Sequence, residues 1–255
     1  MSDIIDRSID KGAPEVSVVM PCLNEAETLA ACIKEAQGAL RAYNLKGEII
    51  VADNGSTDGS PEIAVHHGAR LIRVAASGYG NALRGGIDAA RGTYIIMGDA
   101  DGSYNFADIM RFLEPLREGY DLVVGNRFRG GIKPGAMPAL HRYFGVPVLS
   151  FFGRALHGFP PCRDFHCGLR GLSRVAANRM SLCSAGMEFA SEMIVKAAAN
   201  KMRIIEVPTS LSPAGRKRRS HLRAWRDGWR HVGLLLRETP FAFGFSNRPA
   251  IRKSG

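Results

Sequence analysis

No apolar run in the 255 residues approaches the roughly 20 needed to cross a bilayer. The longest late run, residues 232–236, is broken at Arg237. The first dozen residues are polar and acidic and contain no stretch that would export the chain, so the expected address is the cytoplasm. Cysteine is scarce: Cys22, Cys32, Cys162, Cys167 and Cys183 are odd in number and irregular in spacing, which argues for reduced thiols. Cys162 and Cys167 flank His166 but lack a second ligand pair, so a zinc site is poorly supported. The Walker phosphate loop is absent, and Gly78-Tyr79-Gly80 is no dinucleotide fingerprint because Leu83 stands at its third glycine. An EF-hand is excluded by Tyr104 and Met110, which occupy the positions that need Gly and Glu. Acids are the minority charge, 24 against 34 Lys and Arg, and the resulting +10 favours anionic partners.

What is present is an ordinary globular composition, 45% hydrophobic and 23% charged, in a chain long enough to bury one large core. Short apolar runs read as strands at residues 16–20, 48–52, 70–74 and 93–97, with Pro21 stopping the first. Helical spacing lies between them, at 25–40, 61–67 and 81–91. This alternation predicts an α/β fold with a mostly parallel sheet covered by helices on both faces. The second half is less regular: a strand at 121–125, a Gly- and Pro-rich loop to Pro138, helices at 173–180 and 188–199, and a strand at 203–207. Ligands of such sheets bind outside the carboxyl ends of strands. Polar clusters fall at three of those ends: Asn24 and Glu25, then residues 53–58, then residues 99–103.

Asp99-Ala100-Asp101-Gly102 sets two carboxylates two residues apart, on one side of the backbone if it is extended. Such a pair repels a diphosphate unless a hard divalent cation joins carboxylate and phosphate oxygens. Ser103 continues the alternation and offers a third oxygen or a bound water. The plain alternative is an Asx-turn that closes a strand.

In company these motifs carry a resemblance. VSVVMPCLNE (16–25), DNGSTDG (53–59), DAD (99–101) and Gly125-Asn126-Arg127 together resemble the family 2 glycosyltransferases, most of all the dolichol- or polyprenyl-phosphate mannose and glucose synthase branch, over about residues 15–236. The resemblance implies the nucleotide-diphospho-sugar transferase fold called GT-A. It implies that Pro21, Asn24 and Glu25 line a nucleoside pocket and that Asp53 faces the base or ribose. Asp99 and Asp101, with Ala100 between them, would hold Mg²⁺ or Mn²⁺ against the diphosphate of a GDP- or UDP-linked sugar. Gly80 and Arg84 match a segment near the donor, and Arg127 would meet phosphate oxygens. For Glu25 a helix-start role, and for Arg84 a solvated helix position, stand beside these readings.

Asp164-Phe-His-Cys-Gly-Leu-Arg170 resembles the family's D-x-x-S-G-F-R segment, with Cys167 for Ser and Leu169 for the aromatic. Asp164 is thereby a candidate to position or deprotonate the nucleophile, or else an acid paired locally with Arg163 or Arg170. A phosphate acceptor needs little help from a base, since its second pKa is near ~6. The implied reaction is inverting transfer of a hexose to a polyprenyl phosphate, with a soluble or other lipid acceptor as the alternative.

Arg216, Lys217 and Arg219 open a segment of seven Lys and Arg and one acid, Asp227, ending at His231. These three are candidates for the acceptor phosphate. Leu222, Trp225, Trp229, Val232 and Leu236 then recur at helical steps. Either this stripe meets an anionic membrane surface peripherally, or it packs on the core. A nucleic-acid partner is disfavoured because no recognition module accompanies the basic run. The expected layout is a polar tail (1–14), the catalytic domain (15–214), a basic amphipathic segment (215–240) and a C-terminal tail (241–255).

Overall fold

The computed structural model describes residues 12–158, 160–215 and 224–239, without the side chains of residues 224–227. Its first half follows the expected alternation: β1 (Val16–Cys22), α1 (Leu29–Ala42), β2 (Gly47–Asp53), α2 (Ser60–His66), β3 (Arg70–Arg73), α3 (Tyr79–Ala89) and β4 (Tyr94–Met97). The second half contains α4 (Ile109–Arg117), β5 (Leu122–Asn126), the single turn α5 (Arg127–Gly130), α6 (Val146–Leu156) and β6 (Arg170–Ser173). It continues with α7 (Arg174–Met180), α8 (Phe189–Ala199), β7 (Ile204–Pro208) and α9 (Ala224–Arg237).

The strands form one seven-stranded sheet in the order β3-β2-β1-β4-β6-β5-β7. β6 is antiparallel to both of its neighbours, and every other pairing is parallel. The central strands are short continuous runs of β-branched residues. Val18, Val19, Ile50, Ile95, Ile96, Val123 and Val124 are all fully buried, each worth about 1.5–3 kcal/mol as burial from water. Strand order reverses between β1 and β4, which opens a crevice at their carboxyl ends.

The expected layout needs amendment in places. Pro21 does not end β1, which runs on to Cys22. Pairing of β1 with β4 stops at Val19↔Met97, so Pro21 has a strand on one side only and its missing N–H disrupts no ladder. Helices α4 and α6 and strand β6 were not foreseen. α4 carries Pro115 inside it, α6 is aromatic and partly exposed, and β6 (RGLS) has no apolar run to announce it. Among the described residues no helix is long and apolar enough to cross a membrane.

The topology brings the polar clusters to one rim. The parallel strands deliver their carboxyl ends there, and antiparallel β6 delivers its entry, with Met97 of β4 opposite Arg170 of β6. Residues 164–169 therefore meet residues 98–103 although about 65 positions separate them in sequence.

Candidate active site

The loops after β1 and β2 hold each other. Asn24 takes a left-handed backbone (φ +58°), its N–H donates to Ser56 Oγ at 2.8 Å, and its Oδ1 accepts from Thr57 N–H at 2.7 Å. The N–H groups of Glu25 and Ala26 donate to Ser60 Oγ (2.9 Å) and Asp58 Oδ2 (3.0 Å). Asp53 is buried and accepts from the N–H groups of Gly55 and Ser56, each at 3.2 Å. Its carboxylate thus shapes its own turn, while Pro21 and Glu25 are buried beside it at the end of β1.

Past β4 the backbone turns rather than staying extended, so strand alternation is not what orients Asp99 and Asp101. Gly102 at φ +76° completes that turn, and Asp101 Oδ1 accepts from Ser103 N–H at 3.0 Å, an Asx-turn within the acidic motif. The turn is held from two sides. Thr28 Oγ1 donates to the Ala100 carbonyl at 2.7 Å, and Gly215 N–H donates to the Asp101 carbonyl at 2.8 Å. Ser103 is buried, with its carbonyl accepting from Ser212 N–H at 2.9 Å.

Asp99 is the junction of the site. Tyr79 Oη, at the start of α3, donates to Asp99 Oδ1 at 2.8 Å. Burial, and next the charge of Asp99, push the Tyr79 phenol well above its ordinary pKa, so it stays protonated and remains a donor. On the other side lies Gly168, where a Cβ would stand 2.6 Å from Asp99 Oδ2. Only glycine lets that segment approach the carboxylate so closely. Tyr104 Oη accepts from Gly168 N–H at 2.8 Å and fixes the approach.

Asp99 and Asp101 give two carboxylates at one crevice, and no group of three or more His, Cys, Asp or Glu among the described residues forms a self-contained metal cage. Such an incomplete, all-oxygen set fits Mg²⁺ or Mn²⁺, which fill their remaining positions with water and substrate phosphate.

The two other expected catalytic residues meet each other. Asp164 is fully buried and accepts from Arg127 Nε at 2.8 Å, Nη2 at 2.7 Å and backbone N–H at 3.1 Å. The planar edge of Arg127 that would grip a phosphate is thus spent on Asp164, and neither Arg163 nor Arg170 is the partner of that acid. Glu206 of β7 steadies the pair: it accepts from Asn126 Nδ2 (2.8 Å) and from the N–H groups of Arg163 (2.5 Å) and Asp164 (2.8 Å). Arg170, also fully buried, donates to the carbonyls of Cys167 (2.8 Å), Phe165 (2.6 Å) and Ala190 (2.6 Å), which folds the whole 164–170 segment around its guanidinium. Burial, then Asp164, pushes the Cys167 thiol up to about 12, so it is neutral packing and no nucleophile.

Gly80 and Arg84 of α3 make their described contacts with the loop at residues 183–187. A Cβ on Gly80 would stand 2.2 Å from the Ser184 carbonyl, and Gly80 N–H donates to the Ala185 carbonyl at 2.9 Å. Arg84 donates to Asn81 Oδ1 (3.0 Å) and the Cys183 carbonyl (3.5 Å). Both join α3 to the loop ahead of α8. Tyr79, Tyr104 and Glu206 went unnoticed in the sequence. Adjacency to Gly80 and to the acidic motif was the available signal for the two tyrosines, and Glu206 had none.

Arg216, Lys217, Arg219 and Leu222 lie outside the described residues, as does the side chain of Trp225. On α9, His231, Leu234 and Leu235 face inward, whereas Trp229 is 70% and Leu236 59% exposed. Of the stripe residues whose side chains are described, Trp229 and Leu236 thus lie on the outer face and Val232 is half-buried, while His231, Leu234 and Leu235 pack the helix.

A family model described as "Glycosyl transferase family 2" matches residues 17–180. The chain is 43% identical over 229 residues to the low-salt glycan biosynthesis hexosyltransferase Agl6 of Haloferax volcanii, covering 89% of this chain and 54% of that protein. The chain therefore spans about half the length of that relative. It is 35% identical to glycosyltransferase AglJ of the same organism, over 84% of this chain and 68% of that one. A dolichyl-phosphate hexose transferase of H. volcanii is 27% identical, over 76% and 81%. Among solved structures, glucosyl-3-phosphoglycerate synthase from Mycobacterium tuberculosis, with Mn²⁺, uridine diphosphate and glucosyl-3-phosphoglycerate, superposes with a TM-score of 0.69 at 21% identity, covering 89% of this chain and 80% of that one.

Proposed function

From the premise that this chain belongs to glycosyl transferase family 2, we propose that it moves a hexose, with inversion, from a nucleotide-diphosphate sugar to a polyprenyl phosphate. The observation that carries the reading is the double engagement of Asp99. Its carboxylate meets α3 through Tyr79 on one side and the 164–170 segment through Gly168 on the other. The donor-side acid and the acceptor-side loop therefore share one point.

Asp99 and Asp101 are the residues that would hold Mg²⁺ or Mn²⁺, whose chemistry is to neutralise charge on the departing diphosphate. Support comes from the fold neighbour, which was crystallised with Mn²⁺ and uridine diphosphate. Pro21, Asn24, Glu25 and Asp53 stand where β1 and β2 open onto the crevice, the region assigned to the nucleoside. An acceptor phosphate oxygen attacks the anomeric carbon, the bond from that carbon to the diphosphate breaks, and the electron pair leaves with the diphosphate.

Asp164 spends both carboxylate oxygens on three N–H groups of Arg127, so neither is turned toward an acceptor. Its role is to position Arg127 at the end of β5. Catalysis then rests on placement and charge stabilisation, which suffices for an acceptor already anionic at neutral pH.

A lipid-phosphate acceptor is favoured by the outer surface beside the site. Tyr143, Phe144, Phe151 and Phe152 are each more than half exposed around α6. α9 joins them, since His157 at the end of α6 hydrogen-bonds the Leu235 carbonyl at 3.1 Å, and Trp229 is exposed on that helix. Aromatic rings interspersed with Arg142, Arg154 and Arg230 suit the headgroup zone of an anionic leaflet, where each basic residue adds about 1 kcal/mol. Attachment would be peripheral, on the cytoplasmic face.

The test is a panel of UDP- and GDP-linked hexoses with Mn²⁺, offered a polyprenyl phosphate in vesicles or a soluble phosphorylated acceptor. Transfer to the lipid alone is the expected result. Transfer to the soluble acceptor alone would move the assignment to the alternative branch.

A further inference from the structure

One polar side chain of the acceptor segment has no task in the mechanism above. His166 lies two residues after Asp164, which holds Arg127, and two before Gly168, which abuts Asp99. The residue is half-buried, yet both Nδ1 and Nε2 are enclosed and make no hydrogen bond. A neutral imidazole carries one N–H donor and one lone pair, so the enclosure costs free energy that no protein group returns. Enclosed polar groups left this way mark places where a water, ion or ligand completes the structure.

The surroundings specify the sign of that ligand. Arg170 is fully buried and its Nε, Nη1 and Nη2 donate to carbonyls, so its charge is solvated by dipoles but matched by no ion pair among the described residues. Arg127 also lies near His166 and is engaged by Asp164. Burial, then the neighbouring His231, Arg127 and Arg170, hold the His166 ring well below its ordinary pKa and therefore neutral. The His231 ring stands edge to face against it, centroids 4.6 Å apart at 71°, and is itself pinned by Ser191 Oγ at 2.8 Å from Nδ1. The neighbouring thiols add no metal site, since no three-residue ligand cluster occurs among the described residues. A neutral N–H donor beside the buried guanidinium of Arg170 fits an anion that brings acceptor oxygens.

Resting on the functional reading above, we infer that His166 binds the acceptor's phosphate monoester, donating a ring N–H to a phosphate oxygen while Arg170 supplies the field and His231 orients the ring. The phosphate could be carried by a lipid or by a small soluble molecule, and the chemistry of recognition is the same. His166 would then be a specificity residue between the donor carboxylates and the α9 helix.

The experiment compares wild type with His166→Ala and His166→Gln, each checked for an unchanged thermal midpoint. KM is measured for donor and for acceptor, using a short polyprenyl phosphate and a soluble sugar phosphate in separate arms. Loss of one charge-assisted hydrogen bond predicts an acceptor KM about 10- to 100-fold higher in the Ala variant, with donor KM within about twofold, and partial recovery in the Gln variant. Imidazole ¹⁵N spectra of the wild type with added inorganic phosphate give a readout independent of turnover, and the His166 signals should shift. An unchanged acceptor KM, an equal rise in donor KM, or unmoved imidazole signals would reduce His166 to an edge-to-face packing partner of His231. If the wild type glycosylates neither phosphate, the functional reading fails, and the spectra alone still decide the phosphate site.

Discussion

The two walls of the crevice are built on different plans. On the β1–β2 side, Asn24, Asp53, Ser56 and Asp58 tie two surface loops together with single hydrogen bonds to backbone N–H groups. On the β5–β6–β7 side, Asp164 and Arg127 form a buried ion pair braced by half-buried Glu206, and Arg170 is a further buried charge held on carbonyls. Surface hydrogen bonds are replaceable by water, whereas a buried charge that loses its partner is not. Polar substitutions on the first wall should therefore act mainly on catalysis, and those on the second should act on folding as well. The acidic turn between the walls belongs with the first: its Ala100 and Asp101 carbonyls are held from outside, and the Ser103 N–H bond to Asp101 Oδ1 within it is one that an asparagine oxygen can also accept.

Asp101→Asn sharpens the contrast most. It should lower turnover by about 10²- to 10⁴-fold, the scale of losing a group that stabilises transition-state charge, with a thermal midpoint near that of wild type. A stopped enzyme that is also unfolded would break the distinction. Asp164→Ala tests the opposite wall, because it strands the Arg127 charge in the interior. Chemical denaturation should report a loss of about 3–5 kcal/mol, and a loss under about 1 kcal/mol would mean water reaches the pair.

Gly80→Ala comes next, since its Cβ would enter the space of the Ser184 carbonyl. A destabilisation of about 1–3 kcal/mol is expected from forced separation of α3 and the 183–187 loop. Gly168→Ala should do the reverse, displacing Asp99 and cutting activity more than stability, since the atom it meets is the end of a side chain. Trp229→Ser should be the mildest for the fold, within about 0.5 kcal/mol, because the ring is exposed. Its effect belongs in a sedimentation assay with anionic vesicles, where bound protein should fall. If stability falls instead, the ring is part of the packed core.

This division also explains what the sequence disclosed. The donor wall was legible because each motif directly follows a short apolar strand, so position in sequence gave position at the rim. Asp53, Asp99 and Asp101 were placed at strand ends in this way. On the β5–β6–β7 wall the partners are remote in sequence: Arg127, Asp164 and Glu206 come from three separate segments, and β6, whose entry brings Asp164 to the rim, is four residues with one glycine and one buried arginine. Periodicity cannot announce such a strand. The amphipathic pattern of α9 correctly marked a helix, but periodicity alone gives no sign of which face packs. His231, a polar residue by composition, turned out to lie inward with Leu234 and Leu235, and Trp229 outward.

The central claim is that Asp99 and Asp101 hold a divalent cation against the donor's diphosphate. Calorimetric titration of UDP and GDP into the wild type, with Mn²⁺ and then with excess chelator, addresses it directly. The account predicts that one of the two nucleotides binds with Mn²⁺, that chelation weakens it at least about tenfold, and that Asp101→Asn with Mn²⁺ matches the chelated wild type. Equal affinity with and without the metal, or a variant that keeps the metal-dependent gain, would contradict it.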